Sequence, residues 1–154
     1  MEQILDLPNT GTRTLNYAGF WIRVVATLID SVVIYAVIFA LMAIFGLGGG
    51  FTDPSAFDMT TFAVVYAVVF VGVIGYFIGM ESSAKQATLG KMAVGIKVGD
   101  EQGNRISVGK AAGRFFGKIL SQLILYIGYM MAGWDPKKQA LHDKLAGTFV
   151  FYSK

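Results

Sequence analysis

Two long apolar runs set the pattern of the chain. Residues 21–45 are interrupted only by Arg23 and Asp30, and residues 61–80 carry no charge before Glu81. At about 1.5 Å per residue the first run reaches roughly 37 Å and the second roughly 30 Å, enough to cross a hydrocarbon core of about 30 Å. Both are predicted membrane-spanning helices. Between them Gly48, Gly49, Gly50 and Pro54 end the first helix, and the connecting loop has Asp53 and Asp58 but no Lys or Arg. The positive-inside rule therefore directs this loop away from the cytoplasm. Tyr17, Phe20 and Trp21 cluster where the first helix should cross the headgroup layer. Gly72, Gly75 and Gly79 share one stripe of the second helix, a small-residue face suited to ordinary close packing.

Beyond Glu81 the pattern turns polar and basic, which predicts a cytoplasmic segment. Val94, Ile96 and Val98 alternate with Gly95 and Lys97 at strand period, residues 99–104 are rich in turn formers, and residues 105–108 alternate again. This predicts a small β-hairpin at the membrane surface. From Ser107, a candidate N-cap, the spacing becomes helical. Gly109, Gly113, Gly117 and Ser121 recur every four positions beside a stripe of Lys110, Arg114 and Lys118. With Phe115, Phe116, Ile119 and Leu120 adjacent, that stripe predicts either an interfacial helix whose cations meet lipid headgroups or a third span with a basic end.

The third apolar segment covers residues 115–134, but only residues 119–134 follow Lys118, and they reach about 24 Å, short for a crossing. A full third crossing would also carry Lys137, Lys138, Lys144 and Lys154 to the far side, against the charge bias. The expectation is a re-entrant hairpin, or two short helices broken near Gly128, with the tail returned to the cytoplasm. Residues 149–152 read as a final strand available to residues 94–98.

The expected fold class is thus an all-α membrane protein: a small helical bundle of two firm transmembrane helices plus a third spanning or re-entrant segment, with a small cytoplasmic β-hairpin or sheet. Composition agrees, with 55% hydrophobic and 15% charged residues and a mean hydropathy of +0.57. One domain is expected over residues 17–152, after a flexible lead-in over residues 1–16. The first run is too long for a cleavable signal and reads as an uncleaved anchor. The net charge of +3 is placed to orient the protein and meet anionic lipid, not to bind nucleic acid. Without cysteine there is no disulfide and no thiolate chemistry.

An ionisable group inside a span is costly, on the order of 2.5–3.5 kcal/mol, so Arg23 and Asp30 require reasons. Their separation of seven residues puts them on one face but about 10 Å apart along the axis, too far for a direct pair. Arg23 lies one turn from the interface and can snorkel there as a topology anchor. Asp30 is too short to snorkel. It must face protein or water, either as a carboxylate that exchanges a proton or a small cation or as hydrogen-bonded packing with Ser31, Thr27 or a neighbouring helix. His142 has no nucleophile in a recognisable context beside it and reads as a spectator, and Lys85 occupies the position where a phosphate loop ending in Gly90 and Lys91 needs glycine. No enzyme, cofactor or metal site is expected.

Taken together, Arg23, Asp30, the segment 88–91, residues 94–103, Arg114 and Asp143 within residues 141–148 make the chain resemble the RDD family of small membrane proteins, named for one arginine and two aspartates. The resemblance puts the arginine on Arg23 and the aspartates on Asp30 and Asp143. It implies transport of small ligands, with exchange of monovalent cations for protons in some members. The expectation is a multi-pass bacterial inner-membrane protein with its N-terminus cytoplasmic, transporting a small solute or monovalent cation coupled to protons through Asp30, with Arg23 and Asp143 paired at the cytoplasmic end of the pathway. Two firm spans enclose little, so a homo-oligomer is expected, with the glycine stripes of residues 72–79 and 109–121 as contacts. The rival reading is a non-transporting scaffold or accessory subunit that binds lipid or a partner through Lys110, Arg114 and Lys118.

Overall fold

The computed structural model describes residues 15–45, 58–123 and 127–153. The lead-in through residue 14 and the loop containing Asp53 lie outside the described residues. Two long helices, α1 (Phe20–Ile44) and α2 (Met59–Ser82), are long and apolar enough to cross a membrane. Asp58 starts α2 by accepting from the backbone N–H groups of Thr60 at 3.0 Å and Thr61 at 3.2 Å, which satisfies donors the first turn cannot use. Along α1 only Ala26 and Asp30 are buried, and along α2 only Val65, Glu81 and Ser82. Side chains such as Val32, Phe39, Val68 and Phe70 are exposed from the protein. In water such surfaces would aggregate; in a bilayer they are lipid contact.

The buried part of the molecule gathers around the start of α1 and the end of α2. A short helix, α3 (Leu89–Ala93), capped by Thr88, packs on α1. This approach requires glycine at position 90, where a Cβ would stand 2.0 Å from the Ala26 carbonyl oxygen and 2.8 Å from Asp30 Cγ.

Strand β1 (Ile96–Gly99) pairs antiparallel with β2 (Phe149–Tyr152), Ile96 opposite Tyr152 and Gly99 opposite Phe149. The expected final strand and its partner are therefore present, but residues 105–107 form no strand, so the local hairpin is corrected to a long-range pairing. The reason lies in the edges. One edge of β1 carries β2, and on the other Gln86 accepts from the Val98 N–H at 2.7 Å and donates to the Val98 carbonyl at 3.1 Å, leaving residues 105–108 no ladder to join. Ile106 instead enters a small core with Ile96, Val98, Val150 and Ala18. The outer edge of β2 is covered by the chain leading into α1, where Ala18 donates to Val150 at 2.8 Å and Tyr152 to Asn16 at 2.9 Å.

Helix α4 (Val108–Leu123) has the reverse of a soluble amphipathic helix. It buries Ala111, Arg114, Gly117 and Ser121 and exposes Phe116, Ile119, Leu120 and Leu123. Its polar face packs on α2 and on α6 (Leu141–Ala146), and its apolar face is exposed. Helix α5 (Ile127–Trp134) diverges from α4 by 104°, in keeping with a broken rather than a straight third segment. Residues 124–126 lie outside the described residues. Gly128 permits the return: a Cβ there would meet Ser121 Oγ at 2.6 Å.

Candidate functional site

Two polar centres occupy the buried end. In the first, Asp30 on α1 is 2% exposed. Its Oδ1 accepts from the Tyr76 hydroxyl of α2 and from the Gly90 N–H of α3, both at 2.7 Å, and its Oδ2 accepts from the Thr88 hydroxyl at 2.6 Å. Tyr76 is itself positioned by the Leu89 N–H at 2.9 Å. Thr27 and Ser31 bond backbone carbonyls of their own helix, Arg23 and Thr27 respectively, and do not reach Asp30. Every donor to Asp30 among the described residues is neutral. One side chain therefore joins α1, α2 and α3 with no counter-cation among those residues.

In the second centre, Asp143 on α6 lies between two guanidiniums. Arg23 donates to its Oδ2 and Arg114 to its Oδ1. Arg23 also reaches the Ala18 carbonyl at 3.0 Å and the Lys138 carbonyl at 2.6 Å, and Arg114 reaches the Thr148 hydroxyl at 2.6 Å. Asp143 further accepts from the Ala140 N–H at 3.1 Å, half of a capping box for α6, and Gly147, with φ 60°, ends that helix in the left-handed region. From Arg114 the network continues to Glu81 at the end of α2, at 2.9 Å, and Glu81 Oε1 also accepts from Lys91 and, at 3.0 Å, Lys118.

Burial by itself raises the Asp143 pKa, but Arg114 and Arg23 overrule it and hold the carboxyl below the usual carboxylate range. Lys91 goes the other way: burial pushes its ammonium down to about 8 although Glu81 opposes the shift. His142 is pushed to about 3, chiefly by burial and against the pull of Asp143. It is neutral near pH 7, and its Nδ1 is buried with no hydrogen-bond partner.

The structure thus brings Arg23 and Asp143 together across the length of the chain and leaves Asp30 in a separate centre. Arg114, expected on a headgroup-facing stripe, is 1% exposed and faces the protein interior. Its charge is better satisfied by Glu81 and Asp143 than by the interface, so that expectation is corrected. Lys118 turns partly inward with it, onto Glu81 and over the Phe77 ring at 4.8 Å, while Lys110 remains exposed. The stripe of Gly117 and Ser121 is likewise used inside the chain, since a Cβ at Gly117 would meet His142 Cβ at 2.9 Å. Glu81 and Tyr76 were not among the sequence candidates. A signal for Glu81 existed: it is the acid that ends an uncharged span and opens a segment crowded with Lys and Arg. Tyr76 gave none beyond a hydroxyl in an apolar run.

The chain is 37% identical over 147 residues to the protein YxaI of Bacillus subtilis, covering 88% of this chain and 97% of that protein. It is 32% identical over 151 residues to the membrane protein YteJ of the same organism, covering 90% and 82%. A proline-rich antigen homolog of Mycobacterium tuberculosis is 26% identical over 151 residues, covering 88% of this chain and 63% of that protein. No solved structure matches. The RDD family model matches residues 17–147, a span that holds Arg23, Asp30 and Asp143, and the chain is a membrane protein of the RDD family.

Proposed function

We propose that the protein carries a small solute or a monovalent cation across a bacterial inner membrane in exchange for protons, and that Asp30 is the carboxylate that takes up and releases the proton. The observation supporting this is the contrast among the buried acids. Glu81 and Asp143 are held by cations, whereas Asp30, at 2% exposure, is held among the described residues by two hydroxyls and one backbone N–H. A carboxylate held by dipoles can trade a proton for a small cation without breaking an ion pair, and the Tyr76 and Thr88 oxygens are further hard ligands beside it. In this reading the basic end, with the N-terminus, is cytoplasmic, as the Lys and Arg content of residues 81–118 favours. The Arg23–Asp143 pair closes the pathway there. Further copies of the chain supply the missing walls, meeting on the face of Gly72, Gly75 and Gly79, where an added Cβ has nothing within 4 Å.

Reconstitution into liposomes with a pH-sensitive dye tests the reading. Proton flux driven by Na⁺, K⁺ or Li⁺, abolished by Asp30→Asn in a variant that still folds, supports it. Absence of flux with all three cations removes the cation form.

The second reading, a non-transporting scaffold or accessory subunit, is favoured by one observation: Asp30 already bonds to α2 and α3 on both its oxygens and so works as a staple. Loss of α3 packing in Asp30→Asn, seen as protease cleavage within residues 83–95, together with a wild type that shows no flux, favours this reading.

A further inference from the structure

The second polar centre does not balance its charge. Among the described residues, Arg23, Lys91, Arg114 and Lys118 meet only Glu81 and Asp143 in one connected cluster, a surplus of two positive charges. His142, packed against the same cluster, is neutral near pH 7 and contributes no anion. The side chains of Arg114, Glu81 and Asp143 are 1%, 2% and 0% exposed, so solvent does little to screen this excess. A buried charge without a counter-ion is strongly destabilising, and the cluster therefore calls for an anion from outside the chain.

Its open side is where Lys118 and Lys91 reach the surface, with side chains 19% and 11% exposed. Both ammoniums donate to the same Glu81 oxygen. Each carries three protons, so donors remain for a further acceptor. The surroundings of this opening are apolar. Lys118 lies over the Phe77 ring of α2, and Phe70 and Tyr66, spaced by helical repeats on the same side of α2, are exposed from the protein. On α4, Phe115, one helical turn before Lys118, sets its ring 6.2 Å from that of Phe77. A ligand suited to this place has an oxyanion at one end and long apolar chains at the other.

We propose that Lys118 and Lys91 bind the headgroup phosphate of an anionic phospholipid whose acyl chains run along the Tyr66, Phe70 and Phe77 side of α2. Basic pockets between membrane helices take such headgroups through charge-assisted hydrogen bonds. The headgroup phosphate supplies one negative charge against that surplus of two and so strengthens the packing of α2 on α4. This site is independent of whether Asp30 exchanges protons.

The test uses the purified full chain in neutral detergent, with heat unfolding followed in the presence of phosphatidylglycerol, phosphatidylcholine or sodium phosphate. Phosphatidylglycerol is expected to raise Tm by several degrees more than phosphatidylcholine. Lys118→Gln is expected to remove that difference, while Lys118→Arg and the exposed control Lys110→Gln keep it. Native mass spectrometry of the wild type in an equimolar mixture of the two lipids gives a readout that needs no variant, and retention of phosphatidylglycerol over phosphatidylcholine is expected. Equal stabilisation or equal retention of the two lipids overturns the proposal, as does an undiminished phosphatidylglycerol effect in Lys118→Gln. Stabilisation by sodium phosphate alone, lost in Lys118→Gln, shows a free-phosphate site and overturns the lipid assignment.

Discussion

Arg23 and Asp143 stand 120 positions apart in the chain and form a largely buried ion pair that joins the first membrane helix to α6 near the C-terminus. The opposite oxygen of the same carboxylate takes Arg114 from α4. Three elements that could otherwise slide past one another in lipid are thereby fixed to one side chain. Arg23 is not merely a charge that marks topology.

Removing Asp143 leaves two largely buried guanidiniums without their carboxylate. Asp143→Asn is expected to cost about 3–5 kcal/mol, the range for a broken buried pair. Arg23→Gln costs less because that side chain is 13% exposed, and the double variant should show a coupling of about 1–3 kcal/mol. Unfolding in mild detergent measures all three. Because the folded pKa of Asp143 is depressed, its contribution is present above the unfolded value of 3.8 and is lost as pH falls through the lower folded value. The Asp143→Asn deficit is therefore constant from pH 5 to 8 and shrinks only in stronger acid.

His142 gives a separate pH signature. Its pKa falls from 6.5 to about 3 on folding, so between those values the unfolded chain binds the proton and the folded chain does not. Stability should decline as pH drops from about 6.5 towards 3. In His142→Phe the slope between pH 6.5 and 4.5 should vanish, which thermal unfolding at a series of pH values will show.

The Tyr76 hydroxyl is the part of the Asp30 centre that can be deleted with least change in volume. Tyr76→Phe removes a donor to a carboxylate and the acceptor of the Leu89 N–H. A loss of about 1.5–3 kcal/mol is expected, the range for hydrogen bonds to charged groups. Increased amide exchange at Leu89 and Gly90 would locate the damage at α3.

Two glycines, each inside a helix, should respond oppositely to alanine. Gly90→Ala forces a methyl group to within 2.0 Å of the Ala26 carbonyl oxygen and should cost about 3 kcal/mol or more. Gly75→Ala meets nothing within 4 Å in the chain and should leave the monomer unchanged or more stable by up to about 1 kcal/mol. If Gly75 serves contacts between copies, the same substitution lowers the oligomer fraction in cross-linking.

The membrane class, the two long helices, the final strand and the family-defining Arg23, Asp30 and Asp143 were legible in the sequence. The helices, the strand, Arg23 and Asp30 follow from local quantities, namely apolar run length, strand period and the cost of a charge in an apolar run, whereas Asp143 was legible only through the family resemblance. Even the pairing of Arg23 with Asp143 followed from placing both at one level of the membrane. The basic stripe of α4 was legible as a stripe but not in its direction. Helical spacing puts Lys110, Arg114 and Lys118 on one face whether that face meets headgroups or protein.

The sequence by itself determined what must be buried in lipid and which charges need an explanation, because transfer energies depend on residue type and spacing along the chain. Tertiary structure alone decided how those charges are satisfied. Arg114 turns inward because Glu81 and Asp143 converge on it from α2 and α6, and Asp30 is held without a cation because Gly90 lets α3 approach α1. Partners for a buried charge come from elements distant in the chain, and no local pattern carries that information.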